Sequence, residues 1–127
     1  MGYSVLIVDD SATVRSSMAR VFDMANLPLA DLFEAENGLE ALDVLQENWV
    51  DIVLADINMP KMNGIELVRS MKSNPELRNI PIAIVSTEGS QGRIAELREA
   101  GIAGYLRKPC RPEELKNLLV EVLGEWQ

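Results

Sequence analysis

Four apolar segments of the sequence each run into side chains that could carry chemistry. Asp9 and Asp10 follow the first segment, Asp56 the second, Ser86 the third and Lys108 the fourth. Short runs of Val, Ile and Leu bounded by turn residues are typical of strands buried on both faces. If these strands are parallel neighbours, the edge of the sheet formed by their carboxyl ends collects three carboxylates, a hydroxyl and an ammonium group.

Carboxylates collected in this way repel one another, by about 4 kcal/mol for a pair roughly 4 Å apart at an effective dielectric constant near 20. Such a cluster either takes up a proton or binds a hard cation through its oxygen atoms. Mg²⁺ fits best, because one or two carboxylates, waters and phosphate oxygens usually hold it. With the Lys108 ammonium, the Ser86 hydroxyl and a spare carboxylate nucleophile, the set predicts a phosphoryl-transfer site. Taken alone, Asp9 and Asp10 also fit a simple helix cap.

Composition excludes several other classes of protein. The 127 residues fit one domain, and a net charge of −8 argues against nucleic acid, because neutralising phosphates needs clustered Lys and Arg. The sequence has neither an apolar run long enough to span a membrane nor a signal-peptide pattern. A single cysteine, Cys110, suits a reducing cytoplasm, and the absence of histidine excludes a histidine base or phosphocarrier.

The elements that must position these groups follow from hydrophobic periodicity. Strands are predicted near residues 3–8, 31–35, 51–56, 81–85 and 103–106, with 31–35 at an edge of the sheet. Helical stripes separate them, including Leu39, Leu42 and Leu45 as the inward face of the second helix and a last helix from about Pro112 to Trp126. Residues 88–92 read as a flexible polar loop or a frayed helix start. Five βα units predict a doubly wound α/β sheet.

The motifs at the strand ends are shared with one protein family. They are Val8–Asp10, Asp56–Gly64 with the sequence Asp-Ile-Asn-Met-Pro-Lys-Met-Asn-Gly, Val85–Ser86, and Gly104–Tyr105 through Lys108–Pro109. Over its whole length the chain resembles the receiver domain of bacterial response regulators, most closely the stand-alone type of chemotaxis. The resemblance implies a single receiver domain over residues 1–127. It also implies a flavodoxin-like, five-stranded parallel sheet of order 2-1-3-4-5 with five helices.

The same resemblance assigns roles to individual residues. Asp56 would be the phosphoacceptor, and Asp10, Asp56 and the Asn58 carbonyl would hold Mg²⁺ directly while Asp9 acts through water. Ser86 would be the switch hydroxyl, Tyr105 the coupled aromatic residue and Lys108 the phosphate-pairing lysine, with a cis Lys108–Pro109 bond. Asn58 and Glu88 would favour fast hydrolysis of the phosphoryl group, whereas Thr87 would slow it by crowding the attacking water. Two departures from the family pattern are Cys110, expected as a small packed hydrophobe, and Arg111 at the start of the last helix.

The predicted function is a phosphorylation-activated switch rather than an enzyme. A sensor histidine kinase would donate the phosphoryl group, and a downstream protein, with a role in chemotaxis or motility, would bind the face of the fourth helix, fifth strand and fifth helix. No nucleic acid or membrane is expected as a partner. The alternatives are a receiver domain trimmed from a larger regulator, an aspartyl-phosphate phosphatase, and a flavin-binding module. Asn58 stands where that phosphatase family has its acid/base aspartate, and two aspartates follow the first strand where a flavin phosphate would bind.

Overall fold

The computed structural model describes residues 2–87 and 89–124 of the chain. In this part of the chain strands and helices alternate along the sequence. The elements are β1 (Tyr3–Val8), α1 (Ala12–Met24), β2 (Leu29–Ala35), α2 (Gly38–Glu47), β3 (Ile52–Ala55), α3 (Gly64–Ser73), β4 (Ile82–Ser86), α4 (Gln91–Ala100), β5 (Gly104–Arg107) and α5 (Pro112–Leu123). The five predicted βα units are therefore confirmed, with boundaries that differ by a few residues.

The described strands form one parallel sheet of order β2-β1-β3-β4-β5, as the family resemblance implies. β1 lies between β2 and β3, and Val8 pairs with both Ala35 and Ala55. On the other side of β3, Ala55 pairs with Ile84. Because all five strands point the same way, their carboxyl ends meet at one edge, with β1 and β3 at its centre.

The helices cover both faces of the sheet. α1 and α5 pack against each other on one face, over Met18, Phe22 and Leu115. α2, α3 and α4 cover the other face, where Val68, Met71 and Leu97 are buried. β1, β3 and β4 are buried along their whole length, which explains why they read as continuous apolar runs instead of alternating patterns.

Polar caps begin four of the helices. The side chains of Ser11, Asn37, Asn63 and Ser90 each accept a hydrogen bond from a backbone N–H in the first turn of α1, α2, α3 and α4. Each such cap contributes about 1 kcal/mol. At α5 the side chain of Arg111 cannot accept, and Glu114 instead accepts a hydrogen bond from the Arg111 N–H at 2.9 Å.

One detail of the sequence prediction needs correction, and the bounds of two helices become defined. Leu39 is 47% exposed and does not point inward. The buried side of α2 is instead Gly38, Ala41 and Leu45, because a short residue at 38 lets the helix pack closely on Met62. Of the two alternatives for residues 88–92, a loop or a frayed helix start, residues 91–92 agree with the second, because they begin α4, which Ser90 caps. α5 ends at Leu123, and the predicted extension to Trp126 lies outside the described residues.

Candidate functional site: an acidic pocket at the carboxyl edge of the sheet

The centre of the site is formed by the ends of the two central strands. Asp9 follows β1 and is 3% exposed. Asp56 follows β3, and its backbone N–H donates to the Val8 carbonyl at 2.9 Å, so the two strand ends are joined. A Cβ atom at residue 64 would collide with the Asp56 backbone oxygen, so glycine is needed there for the next helix to begin close to the pocket.

The three aspartates converge as the sequence predicts. Asp9, Asp10 and Asp56 each offer one carboxylate oxygen, and these oxygen atoms lie within 4.8 Å of one another. Asp9 and Asp56 are largely shielded from solvent, with side chains 5% and 15% exposed, whereas Asp10 is exposed. A buried carboxylate pair with an exposed third member gives a cation one open side of approach. Oxygen donors of this kind are the ligands that Mg²⁺ prefers.

Lys108 reaches into the pocket from the end of β5. Its Nζ lies 2.5 Å from an Asp9 oxygen and 3.2 Å from an Asp56 oxygen, so one ammonium bridges the two buried carboxylates. Burial alone would lower the pKa of Lys108, but the hydrogen bond to Asp9 and the negative charges of Asp56 and Asp9 outweigh it and raise the pKa above the ordinary value. The lysine is therefore a fixed positive charge at neutral pH.

Backbone contacts orient both buried carboxylates. The second oxygen of Asp9 accepts a hydrogen bond from the Ser11 N–H at 2.9 Å, which ties the carboxylate to the first turn of α1. The Oδ1 atom of Asp56 accepts one from the Ile57 N–H at 2.7 Å. Each carboxylate thus has one oxygen held by backbone and the other beside Lys108, so neither is free to rotate away from the pocket.

The remaining predicted residues lie around this centre. Ser86 ends β4 and is 1% exposed, and its carbonyl accepts a hydrogen bond from the Lys108 N–H at 3.0 Å. Thr87 and Asn58 are both exposed, in the loops that follow β4 and β3. Tyr105 is half-buried on β5, opposite Ile84 of β4. Glu88 lies outside the described residues, and the Lys108–Pro109 bond is cis as the resemblance implies.

One contact to the pocket was missed by sequence reasoning. Arg15, on the first turn of α1, donates from Nη1 to the Asp9 backbone carbonyl at 2.6 Å and from Nε to Glu34 of β2 at 2.8 Å. The side chain of Arg15 is only 11% exposed. The residues around Arg15 in the sequence do not indicate these contacts, because its partner Glu34 is 19 residues further along the chain.

Fold and site together define a doubly wound α/β protein whose binding edge carries three carboxylates and a lysine, groups suited to a cation and a phosphoryl group. The model of the response regulator receiver domain family matches residues 5–120. The chain therefore belongs to the response regulator receiver domain family.

Named relatives agree with this membership. The chain is 39% identical over 121 residues to a chemotaxis protein CheY homolog of Campylobacter jejuni, which covers 94% of this chain and 92% of the relative. It is 37% identical to the chemotaxis protein CheY1 of Helicobacter pylori, over 94% of this chain and 96% of that protein. The structure of the chemotaxis response regulator CheY4 of Vibrio cholerae superposes with a TM-score of 0.83 at 32% identity, covering 97% of this chain and all of that one.

Membership has consequences for the site and its partners. Receiver domains of this type are signalling switches that take their phosphoryl group from a histidine kinase, and they bind Mg²⁺ at an acidic pocket. The carboxylates of Asp9, Asp10 and Asp56 fit such a cation in their chemistry and in their closeness. Within residues 2–87 and 89–124, no helix combines the length and the apolar character that crossing a bilayer requires.

Proposed function

We propose that this chain is a phosphorylation-activated switch in which Asp56 accepts the phosphoryl group. The observation that carries the proposal is the placement of Asp56 at the end of the central strand β3, with Lys108 3.2 Å from one of its oxygens. The Ile57 N–H holds the other oxygen, so the carboxylate is oriented before a donor arrives. Asp9 accepts a hydrogen bond from the same Lys108, and its side chain is less exposed than that of Asp56.

In the proposed transfer, an Asp56 carboxylate oxygen forms a bond to phosphorus while the bond between phosphorus and the donor imidazole nitrogen breaks. The nitrogen keeps the electron pair and takes a proton from solvent. Lys108 is close enough to transfer its contact from Asp56 to a phosphoryl oxygen, and the Ser86 hydroxyl is the proposed donor to another. Asp10, Asp56 and the Asn58 carbonyl would hold Mg²⁺, with Asp9 acting through water. When bound, that ion would neutralise charge on the phosphoryl oxygens and on the carboxylates.

The test of the proposal is incubation with acetyl phosphate and Mg²⁺ followed by intact-mass measurement. We expect a gain of one phosphoryl group in the wild-type chain and none in Asp56→Asn. Asp51→Asn is a matched control, because Asp51 lies at the opposite end of β3 and contacts Ser4 and Trp49. Equal labelling of Asp56→Asn would refute the assignment, and multiple turnover of a simple phosphomonoester would favour the phosphatase alternative instead.

We propose further that the phosphoryl group is read out on the face formed by α4, β5 and α5. Ser86 and Tyr105 lie on adjacent strands, with Ser86 two residues beyond the partner of Tyr105. Movement of Ser86 toward a phosphoryl oxygen would vacate space, and the half-buried Tyr105 ring could turn into it. The names of the relatives support a target with a role in chemotaxis. We also propose that residues 1–127 form one receiver domain and that the chain acts in the cytoplasm.

This coupling has its own test, in amide NMR spectra of the chain with and without acetyl phosphate. Phosphorylation should shift the resonances of α4, β5 and α5 in the wild-type chain. Ser86→Ala should still gain the phosphoryl mass but lose those shifts, and Tyr105→Ala should do the same. Tyr105→Phe keeps the ring and should keep the response. If Ser86→Ala and Tyr105→Ala both retain the full shifts, the two residues are packing and the switch lies elsewhere.

A further inference from the structure

The strongest unassigned feature is the arginine that links the acidic pocket to the edge strand. The Arg15 guanidinium joins two elements, since Nη1 contacts the Asp9 carbonyl after β1 and Nε contacts the Glu34 carboxylate on β2. The Arg15 side chain is 11% exposed, whereas that of Glu34 is 50% exposed. The arginine is thus largely shielded from solvent, and two acceptors set its orientation, one just after β1 and one on β2.

The peptide that Arg15 contacts is the one from which Asp10 projects. The Asp9 carbonyl belongs to the Asp9–Asp10 peptide bond, so a hydrogen bond to that oxygen fixes the plane of the peptide. The Asp9 N–H is held by the Ala35 carbonyl at 3.0 Å, and the Ser11 N–H is held by the Asp9 side chain at 2.9 Å. Arg15 completes this set of contacts on both sides of Asp10.

The position of the Asp10 carboxylate depends on this stretch of backbone. Within residues 2–87 and 89–124 its carboxylate makes no hydrogen bond or salt bridge, and Asp10 is exposed. Its closeness to Asp9 and Asp56, within 4.8 Å, is unfavourable while no cation is bound, because like charges repel one another. The backbone sets where the Asp10 side chain begins, and therefore whether its carboxylate can lie beside the other two.

We infer that Arg15 is a positioning residue for the metal pocket, which holds the Asp9–Asp10 peptide so that the Asp10 carboxylate stays beside those of Asp9 and Asp56. Glu34 in turn holds Arg15. The inference rests on the proposed function, since it concerns the same pocket. The inference also predicts that lysine cannot replace this arginine. A guanidinium presents several N–H donors in one rigid plane and reaches both acceptors at once, whereas an ammonium is a single point charge on a flexible stem.

The experiment compares two charge-preserving substitutions on one helix. Arg15→Lys removes the planar fork, and Arg20→Lys makes the same exchange at an exposed position of α1. Titration with Mg²⁺ alone, followed in amide NMR spectra, gives the Kd and shows that each variant is folded. Substitution of groups that orient metal ligands typically weakens metal binding 10- to 100-fold, so we expect Arg15→Lys to raise the Kd by about 10-fold. Arg20→Lys should leave the Kd unchanged.

Unfolding by urea in EDTA distinguishes a residue that positions the metal ligands from one that only stabilises the fold. If Arg15 only stabilises the fold, Arg15→Lys should lower the free energy of unfolding and leave the Kd for Mg²⁺ equal to that of the wild type. This outcome would overturn the inference. If Arg15→Lys does not fold, Glu34→Ala decides by the same criterion, because it removes the acceptor of the Arg15 Nε–H and leaves the guanidinium in place. A wild-type chain that binds no Mg²⁺ would instead overturn the proposed function.

Discussion

Asp10 is the residue at which the requirements of stability and of the site oppose each other most directly. Its carboxylate lies within 4.8 Å of two others, and no cation within the described residues contacts it. At that separation, a pair of like charges costs about 0.9 kcal/mol at the dielectric constant of water and about 3.5 kcal/mol at an effective value near 20. Because Asp10 is exposed and Lys108 already offsets its neighbours, the lower part of this range applies.

We therefore predict that Asp10→Asn raises the free energy of unfolding in EDTA by about 1 to 2 kcal/mol. For a domain of this size that corresponds to an increase in Tm of roughly 4 °C per kcal/mol. Asp9→Asn should have the opposite sign, because it replaces the acceptor 2.5 Å from Lys108 with an amide and weakens a charge-assisted hydrogen bond.

The assay is urea unfolding of the wild type and both variants, in EDTA and in Mg²⁺. Added Mg²⁺ should stabilise the wild type, because it binds only the folded pocket, and should stabilise Asp10→Asn much less. Asp43→Asn removes the same charge from an exposed position on α2 and should change stability little. The reasoning is refuted if Asp10→Asn gains no stability in EDTA, or if Asp43→Asn gains as much.

Three further predictions concern residues around the site. Burial raises the pKa of the Cys110 thiol above its ordinary value of 9.0, so iodoacetamide should modify the native chain slowly at neutral pH and faster as the pH rises or in urea. Lys61 has φ 64°, so Lys61→Asn should raise the free energy of unfolding by about 0.5 to 1 kcal/mol. Asn26 has φ 56°, and the opposite substitution there, Asn26→Lys, should lower the free energy of unfolding in the same urea assay. Thr87→Ala should speed loss of the phosphoryl group, measured by mass after acetyl phosphate is removed, and equal or slower loss would refute crowding of the water.

The centre of the site could be predicted because parallel strands bring their carboxyl ends to one edge. Asp9, Asp10 and Asp56 directly follow or lie close to the end of a buried strand, and Lys108 directly follows the partly exposed β5. The structure places their charged groups together. The strand order came from the family resemblance and is confirmed. Periodicity alone does not supply that order, since it identifies strands and helices but not which strands are neighbours.

What sequence reasoning missed depends on contacts between distant residues. Leu39 fits a helical stripe, yet Gly38 and Ala41 face the sheet because the helix packs closely on Met62. The Arg15–Glu34 pair joins α1 to β2 across 19 residues, and neither residue is apolar or part of a motif. Such contacts follow from the packed arrangement of elements, which local patterns do not determine.

Lys108 connects the stability of the pocket with its proposed use. A raised pKa means that its stabilising contribution is fully present below the ordinary lysine value of 10.5 and is lost only as the pH rises through the higher value of the folded state. At neutral pH the ammonium therefore always neutralises part of the charge of Asp9 and Asp56. A phosphoryl group on Asp56 would offer the same ammonium new anionic oxygens, so the lysine that stabilises the unmodified pocket would also bind the modified one. The backbone N–H of Lys108 donates to the Ser86 carbonyl, so a hydrogen bond joins the ends of β5 and β4 that carry these two side chains.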